Sequence, residues 1–380
     1  MTGFGVQPAA LDKFASLLDQ PNAPALASKY LTDASDYVEK YIKLEGGSGG
    51  WIFGRVVSTM DDFADTVTTA NTAICDTLEE CASGLTASAQ DYRKQDYASA
   101  KHLDDTYHSG SVTALSDYVD TEDPAVDPSS KLTPPGTDGA IPEPVETMLN
   151  SVGYFSESEL TLQILKLCGF DAEQWIKNHF AGDYEALARC MNAVHNLEHF
   201  NEAAATAIAE AANTMFASWQ GHAAQAAKSY FDQLANAIAD YGNMISNAYS
   251  KLQAVCAGIQ QASESLALLV GAALDKAAEV AVSLGADAGL QEIPGIDVIA
   301  DIWTGTRVVE VIKKIKEVTD KWNLVQAGLQ GASGLITGLI GTFSGYDVSV
   351  KLPQMGYYNA SQGGSPNTGD NGNGGEHGPR

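Results

Sequence analysis

The chain has 380 residues, 44% of them hydrophobic, with five cysteines and 22 Lys and Arg against 48 Asp and Glu, a net charge of −26. This length suits two or three domains with ordinary folded cores, and the charge repels phosphate backbones, which argues against nucleic acid as a partner. The cysteines are odd in number and widely spaced, with no C-x-x-C pair, so they read as small buried apolar residues, neither disulfide framework nor metal site.

The first twenty residues, MTGFGVQPAALDKFASLLDQ, lack the positively charged start and uninterrupted apolar core of a secretory signal. Pro8 opens a short helix over 8–19, which breaks at Pro21 and Pro24. A second helix is expected over 25–45, stopped by Gly46-Gly47-Ser48-Gly49-Gly50. A third runs from Trp51 past Tyr92 on the ladder Val56, Met60, Phe63, Val67, Ala70, Ile74, Leu78, Cys81, Leu85, Ser88 and Tyr92. Its spacing alternates threes and fours with one extra four near Ile74, a stutter that slightly unwinds a helical pair. Residues 1–119 therefore read as a helical hairpin, with Trp51 and Gly54 forming W-x-x-G just after the glycine turn.

Tyr92-Arg93-Lys94-Gln95-Asp96 follows that hairpin. Residues four apart share a helical face, so Tyr92 and Asp96 present a ring and a carboxylate together. A second copy of the pattern is Tyr118-Val119-Asp120-Thr121-Glu122. Over 120–148, Pro124, Pro128, Pro134, Pro135, Pro142 and Pro144 exclude a continuous helix and indicate a linker.

Residues 149–262 begin with a segment containing Trp175 and continue into a Pro- and Gly-free arm over 184–217. That arm carries Leu187, Met191, Val194, Leu197, Phe200, Ala204, Ile208 and Met215 near one stripe. After Trp219-Gln220-Gly221 comes an unbroken four-three ladder, Ala227, Phe231, Leu234, Ile238, Tyr241, Ile245, Ala248, Leu252, Val255 and Ile259, the 3.5-residue repeat of a helix packed along a partner. Two such helices hide their stripes by folding back on each other. Gly221 permits the tight turn and Trp219 caps its tip. A second tripeptide of this form, Trp303-Thr304-Gly305, lacks such arms.

Residues 263–345 are apolar and rich in Ala and Gly, but Asp275, Lys276 and Glu279 interrupt the first apolar stretch and the second, over 335–343, is short. Neither reaches the roughly 20 apolar residues of a membrane span. Over 306–325, Arg307, Lys313, Lys314, Lys316 and Lys321 oppose Val308, Val311, Ile312, Ile315, Val318 and Trp322. This basic amphipathic helix is expected to pack on the preceding hairpin, or to touch a membrane surface or an acidic partner. The Gly- and Asn-rich tail over 346–380 is expected to be disordered.

One pattern raises catalysis. His195-Asn196-Leu197-Glu198-His199 is H-x-x-E-H, the pattern of inverzincin metalloproteases, with His195 and His199 as zinc ligands and Glu198 as general base. It lacks a third ligand singled out by spacing, and Leu197 and Phe200 commit the helix to the hairpin, so the histidines read as flanking residues. No phosphate loop, G-x-S-x-G or dinucleotide fingerprint is present.

Trp219-Gln220-Gly221 between two helices, together with Tyr92 and Asp96 beyond an upstream hairpin, resembles the WXG family of type VII (ESX) secretion substrates of actinobacteria. The resemblance covers about 1–110 and 180–262. Beside the all-α fold of tandem antiparallel hairpins joined by the Pro-rich linker that the periodicity and prolines indicate, it fits a non-enzymatic protein without cofactor. It also implies secretion, or residence at the cell envelope, by a route that needs no signal peptide. Tyr92 and Asp96 would be read by a membrane-anchored secretion ATPase, and the hairpins would pair as a helical homodimer or heterodimer completing a four-helix bundle. In small members signal and turn belong to one hairpin; here they lie in different modules.

Overall fold

In the computed structural model the chain is all-α. The structure describes residues 5–20, 24–44, 49–107, 127–140, 142–153, 159–288 and 306–345. Trp303-Thr304-Gly305, the pattern from Tyr118 to Glu122 and the 346–380 tail lie outside the described residues.

Helix α1 (Pro8–Leu18) starts on proline, whose missing N–H is no loss at a first turn. The helix expected over 25–45 is shorter and irregular. It comprises α2 (Leu26–Ser28), a π-helical segment Lys29–Ala34 and α3 (Ser35–Tyr41). The Ser35 hydroxyl donates to the Tyr30 carbonyl at 3.0 Å, within the widened turn. Tyr30, fully buried, donates its hydroxyl to Asn201 Oδ1 at 2.8 Å. Helix α4 (Trp51–Tyr107) runs further than Tyr92, and its ladder from Val56 to Leu85 is buried throughout. The buried position then shifts from Ser88 to Ala89.

Helices α5 (Pro144–Gly153), α6 (Glu159–Leu167) and α7 (Ala172–Phe180) are short. They lead to α8 (Tyr184–Ala217), which has the bounds its composition suggests. Asp183 caps it by accepting from the Ala186 amide at 2.7 Å, a contact of the kind that contributes about 1 kcal/mol. Helix α9 (His222–Ala288) follows the Trp219–Gly221 turn and is continuous through position 262, where composition suggested a division. Helix α10 (Thr306–Gly345) is the last described element.

Side-chain pairs give the register. Asp12 meets Arg93, Asn71 meets Ser35, and Lys43 meets Asp65, so α1–α3 run antiparallel to α4. Lys228 reaches Asn213, and a Cβ on Gly242 would touch Asn201, so α8 and α9 are antiparallel. Between these pairs Tyr230 meets Cys81 and Tyr241 donates to the Val67 carbonyl, which sets α9 antiparallel to α4. Tyr30 on Asn201 and Cys190 on the Ile42 carbonyl do the same for the N-terminal arm and α8. The stripes of both hairpins belong to one buried cluster. The stripes of the two pairs thus cover each other within one polypeptide.

One further segment departs from expectation. Over 127–140 the proline-rich stretch is docked on the bundle, not a free spacer. Asn192 donates to the Gly136 and Asp138 carbonyls at 2.9 and 3.0 Å, and both Asn196 and Tyr37 donate to the Thr133 carbonyl. Helix α10 buries Val308, Val311, Val318 and Trp322, while Ile312 is exposed. Lys276 on α9 lies 3.9 Å from Glu310, which sets α10 beside the far half of α9. The apolar face offered for membrane contact over 306–325 is thereby largely covered. Among the described residues no helix is long and apolar enough to cross a membrane.

Candidate functional site

Sequence reasoning singled out two places, and the structure treats them differently. The first is the end of the bundle where α8 turns into α9. Ser218 closes α8, its amide donating to the Met215 carbonyl at 3.0 Å. Gly221 has φ +120°, a conformation open to glycine and strained for other residues. Residues near the N-terminus stitch the turn from outside. The Gln220 amide donates to the Gly5 carbonyl at 2.8 Å and the Gln7 amide to the Ser218 carbonyl at 3.2 Å, making an isolated antiparallel bridge.

Trp219 is 6% exposed and stacks on Phe216, with ring centroids 5.8 Å apart. Its second aromatic neighbour is Tyr92, edge-on at 6.3 Å. The two motifs lie in different helical pairs along the chain, and the antiparallel register of α4 against α9 brings them together. Tyr92 is half-buried and Asp96 is exposed. Arg93, beside them, is anchored to Asp12 of α1 at 2.6 Å. Beyond Tyr92 every described side chain of α4 is exposed except Ala100, which is half-buried. At 1.5 Å rise per residue that end projects roughly 20 Å past the packed bundle. Tyr97, at 63% exposure, stands on it. The indole Nε1 of Trp219 is buried without an acceptor among the described residues, an arrangement that costs about 1–3 kcal/mol. Position in the sequence could not reveal this juxtaposition; only the register of α4 on α9 could.

Trp51 and Gly54 of the first module lie within a helix and do not form a turn. Trp51 opens α4 and Gly54 sits inside its first turns with no atom within reach of a Cβ. The glycine that matters there is Gly50, where a Cβ would come within 2.6 Å of the backbone of His179. Trp51 instead meets Trp322 of α10 at 5.7 Å. Trp175, His179 and Phe180 complete this aromatic cluster around Trp322, the His179 ring lying 4.3 Å from its centre. Burial pushes the His179 imidazole below its usual range, partly offset by its Nδ1–H donating to the Trp175 carbonyl at 2.6 Å.

The second place is the histidine pair. His195 and His199 do share a face of α8, with ring centroids 4.4 Å apart. Each is already engaged: His195 Nδ1 contacts Glu198 at 3.0 Å and His199 Nδ1 contacts Glu202 at 3.1 Å. His195 also stacks on Tyr249 of α9 at 4.7 Å. Among the described residues no group of three His, Cys, Asp or Glu side chains is arranged to hold a metal ion.

Comparison with protein-family models, with curated proteins and with solved structures gives no match to this chain.

Proposed function

We propose that the chain is a non-enzymatic substrate of a type VII secretion system, exported without a signal peptide. The observation carrying this reading is the packing of Tyr92 on Trp219, with Asp96 exposed on the projecting end of α4. A presented helix end fixed by a buried ring is a suitable docking element for a secretion ATPase. Its rigid base limits the entropy lost on binding. On this reading the two helical pairs take the places that two partner chains hold in small family members, so export proceeds as a folded single chain. The resemblance and this contact support the assignment together, since each motif alone is short.

The test is export from a type VII-competent actinobacterium, followed in the culture filtrate against a cytosolic marker. Asp96→Asn and Tyr92→Ala are expected to reduce export, Tyr92→Phe to retain more of it than Tyr92→Ala, and Tyr118→Ala to leave it unchanged. Asp96 is the cleaner site because its exposed side chain supports no packing. Undiminished export of both Asp96→Asn and Tyr92→Ala would sink the signal assignment, and cytosolic retention of the unmodified chain would sink the secretion reading.

A further inference from the structure

Between the first turns of α4, the middle of α9 and the second half of α10 lies a half-open cavity of about 260 Å³. Its walls are mainly apolar, with Ile52, Val56 and Met60 from α4, Val255 from α9 and Leu329 from α10. Gly334 of α10 also lines it, and a Cβ there would meet no atom within 4 Å. The space therefore persists partly because α10 supplies no side chain at that point. Thr59 is the polar residue of the inner wall, and its hydroxyl already donates to the Arg55 carbonyl at 2.9 Å.

The rim has the opposite character. Arg55 is exposed, with its guanidinium carbon 5.7 Å from the centre of the Trp51 ring, and both residues line the cavity. Among the described residues the partner of Arg55 is the Trp51 ring and not a carboxylate, in a chain where 48 acidic residues face 22 Lys and Arg. A cation without an ion-pair partner beside an apolar hole suits a ligand with an anionic head and a hydrocarbon body. An apolar cavity of about 150 Å³ takes one benzene, so this space takes one medium-length chain and is too small for a two-tailed lipid.

We propose that this cavity binds a single-tailed monoanionic amphiphile of the medium-chain fatty-acid class, its carboxylate on Arg55 and its chain against Trp51 between α4, α9 and α10. The ligand would brace α10 on the bundle, since the same Trp51 ring meets Trp322 of α10. This site stands independently of the export reading and is tested on purified protein.

The probes are decanoate and uncharged decanol, titrated below their aggregation limits into the full chain and followed by calorimetry and tryptophan fluorescence. A single decanoate is expected to bind per chain and to change the fluorescence. Arg55→Glu is expected to weaken decanoate by about tenfold or more while leaving decanol within about twofold; Arg55→Lys retains most of the affinity. Gly334→Leu, a change to a better helix former at an exposed position, is expected to fill the space and weaken both probes. The proposal is overturned by absence of saturable binding, by uptake of several decanoates per chain, or by Arg55→Glu affecting both probes equally. It is also overturned if the chain pairs with a second copy that excludes decanoate, which assigns the cavity to an interface.

Discussion

Replacing glycine by alanine is predicted to have opposite signs at two positions of this chain. Gly221 joins α8 to α9 with φ +120°, where a Cβ strains the backbone by about 1–3 kcal/mol. Gly54 lies within α4, where a Cβ would meet nothing within 4 Å. There alanine restricts the unfolded chain and improves helix propensity, stabilising by about 0.5–1 kcal/mol. A third glycine extends the series. At Gly50 a Cβ would approach the backbone of Phe180 and Ala181 to 2.7 and 2.8 Å, so alanine there forces the α4 start away from the end of α7. Urea unfolding followed by far-ultraviolet circular dichroism checks all three, reading midpoints at unchanged slope. Gly54→Ala should unfold later than the unmodified chain, and Gly221→Ala and Gly50→Ala earlier. A neutral or stabilising Gly221→Ala refutes the reasoning about the turn, because it means that the left-handed conformation is not required there.

Tyr30→Phe strands the Asn201 amide oxygen in the core and should cost about 1–3 kcal/mol; the pair Tyr30→Phe with Asn201→Leu should recover part of that loss, and a strictly additive double variant speaks against the bond. His179 is held below its usual pKa by burial, so it binds fewer protons folded than unfolded. The stability gained by keeping it neutral is present above about pH 6.5 and is lost as the pH falls below that value. Melting temperature between pH 7 and 5 should therefore drop less in His179→Phe than in the unmodified chain, and parallel curves contradict the assignment. Burial pushes the Cys75 thiol up to about 12 and Cys81 and Cys256 up to about 11, and raises Cys190 further. Cys168, the partly exposed thiol of the five, should label first with a thiol reagent at pH 8, and earlier labelling of Cys75 argues against the packing of α4.

The elements legible in the sequence were those with a long uninterrupted period. The stripe from Leu187 to Met215 and the ladder from Phe231 to Ile259 are buried at every position named, because a helix packed along a partner forces that repeat. What stayed hidden depends on partners distant in the chain. Composition changes at 262, yet Ala262 and Ser263 are buried inside α9 and the backbone ladder passes through them. Apolar content describes what a helix face touches, not where its hydrogen bonds end. The prolines over 127–140 exclude a continuous helix, but their docking rests on Asn192, Asn196 and Tyr37, none of which has a local signature. The same holds at the candidate site. Trp219 and Tyr92 each carry a short motif, and neither motif encodes the other's position. The π-helical turn that aims Tyr30 at Asn201 likewise needed the tertiary contact to justify it.

The bridge between Gly5 and Gln220 and the Tyr92–Trp219 contact also set an order of events during synthesis. Residues near the N-terminus and the Tyr92 face leave the ribosome long before the turn that closes over them has been made. At about 5–20 residues per second the interval is on the order of ten seconds, during which α9, whose Tyr230 and Tyr241 pack on the α4 stripe, has still to emerge. A cellular factor that recognises this stripe acts in that interval or not at all. Completion of the Trp219 turn then ends its access and leaves the projecting end of α4 as the part of that helix still open to binding.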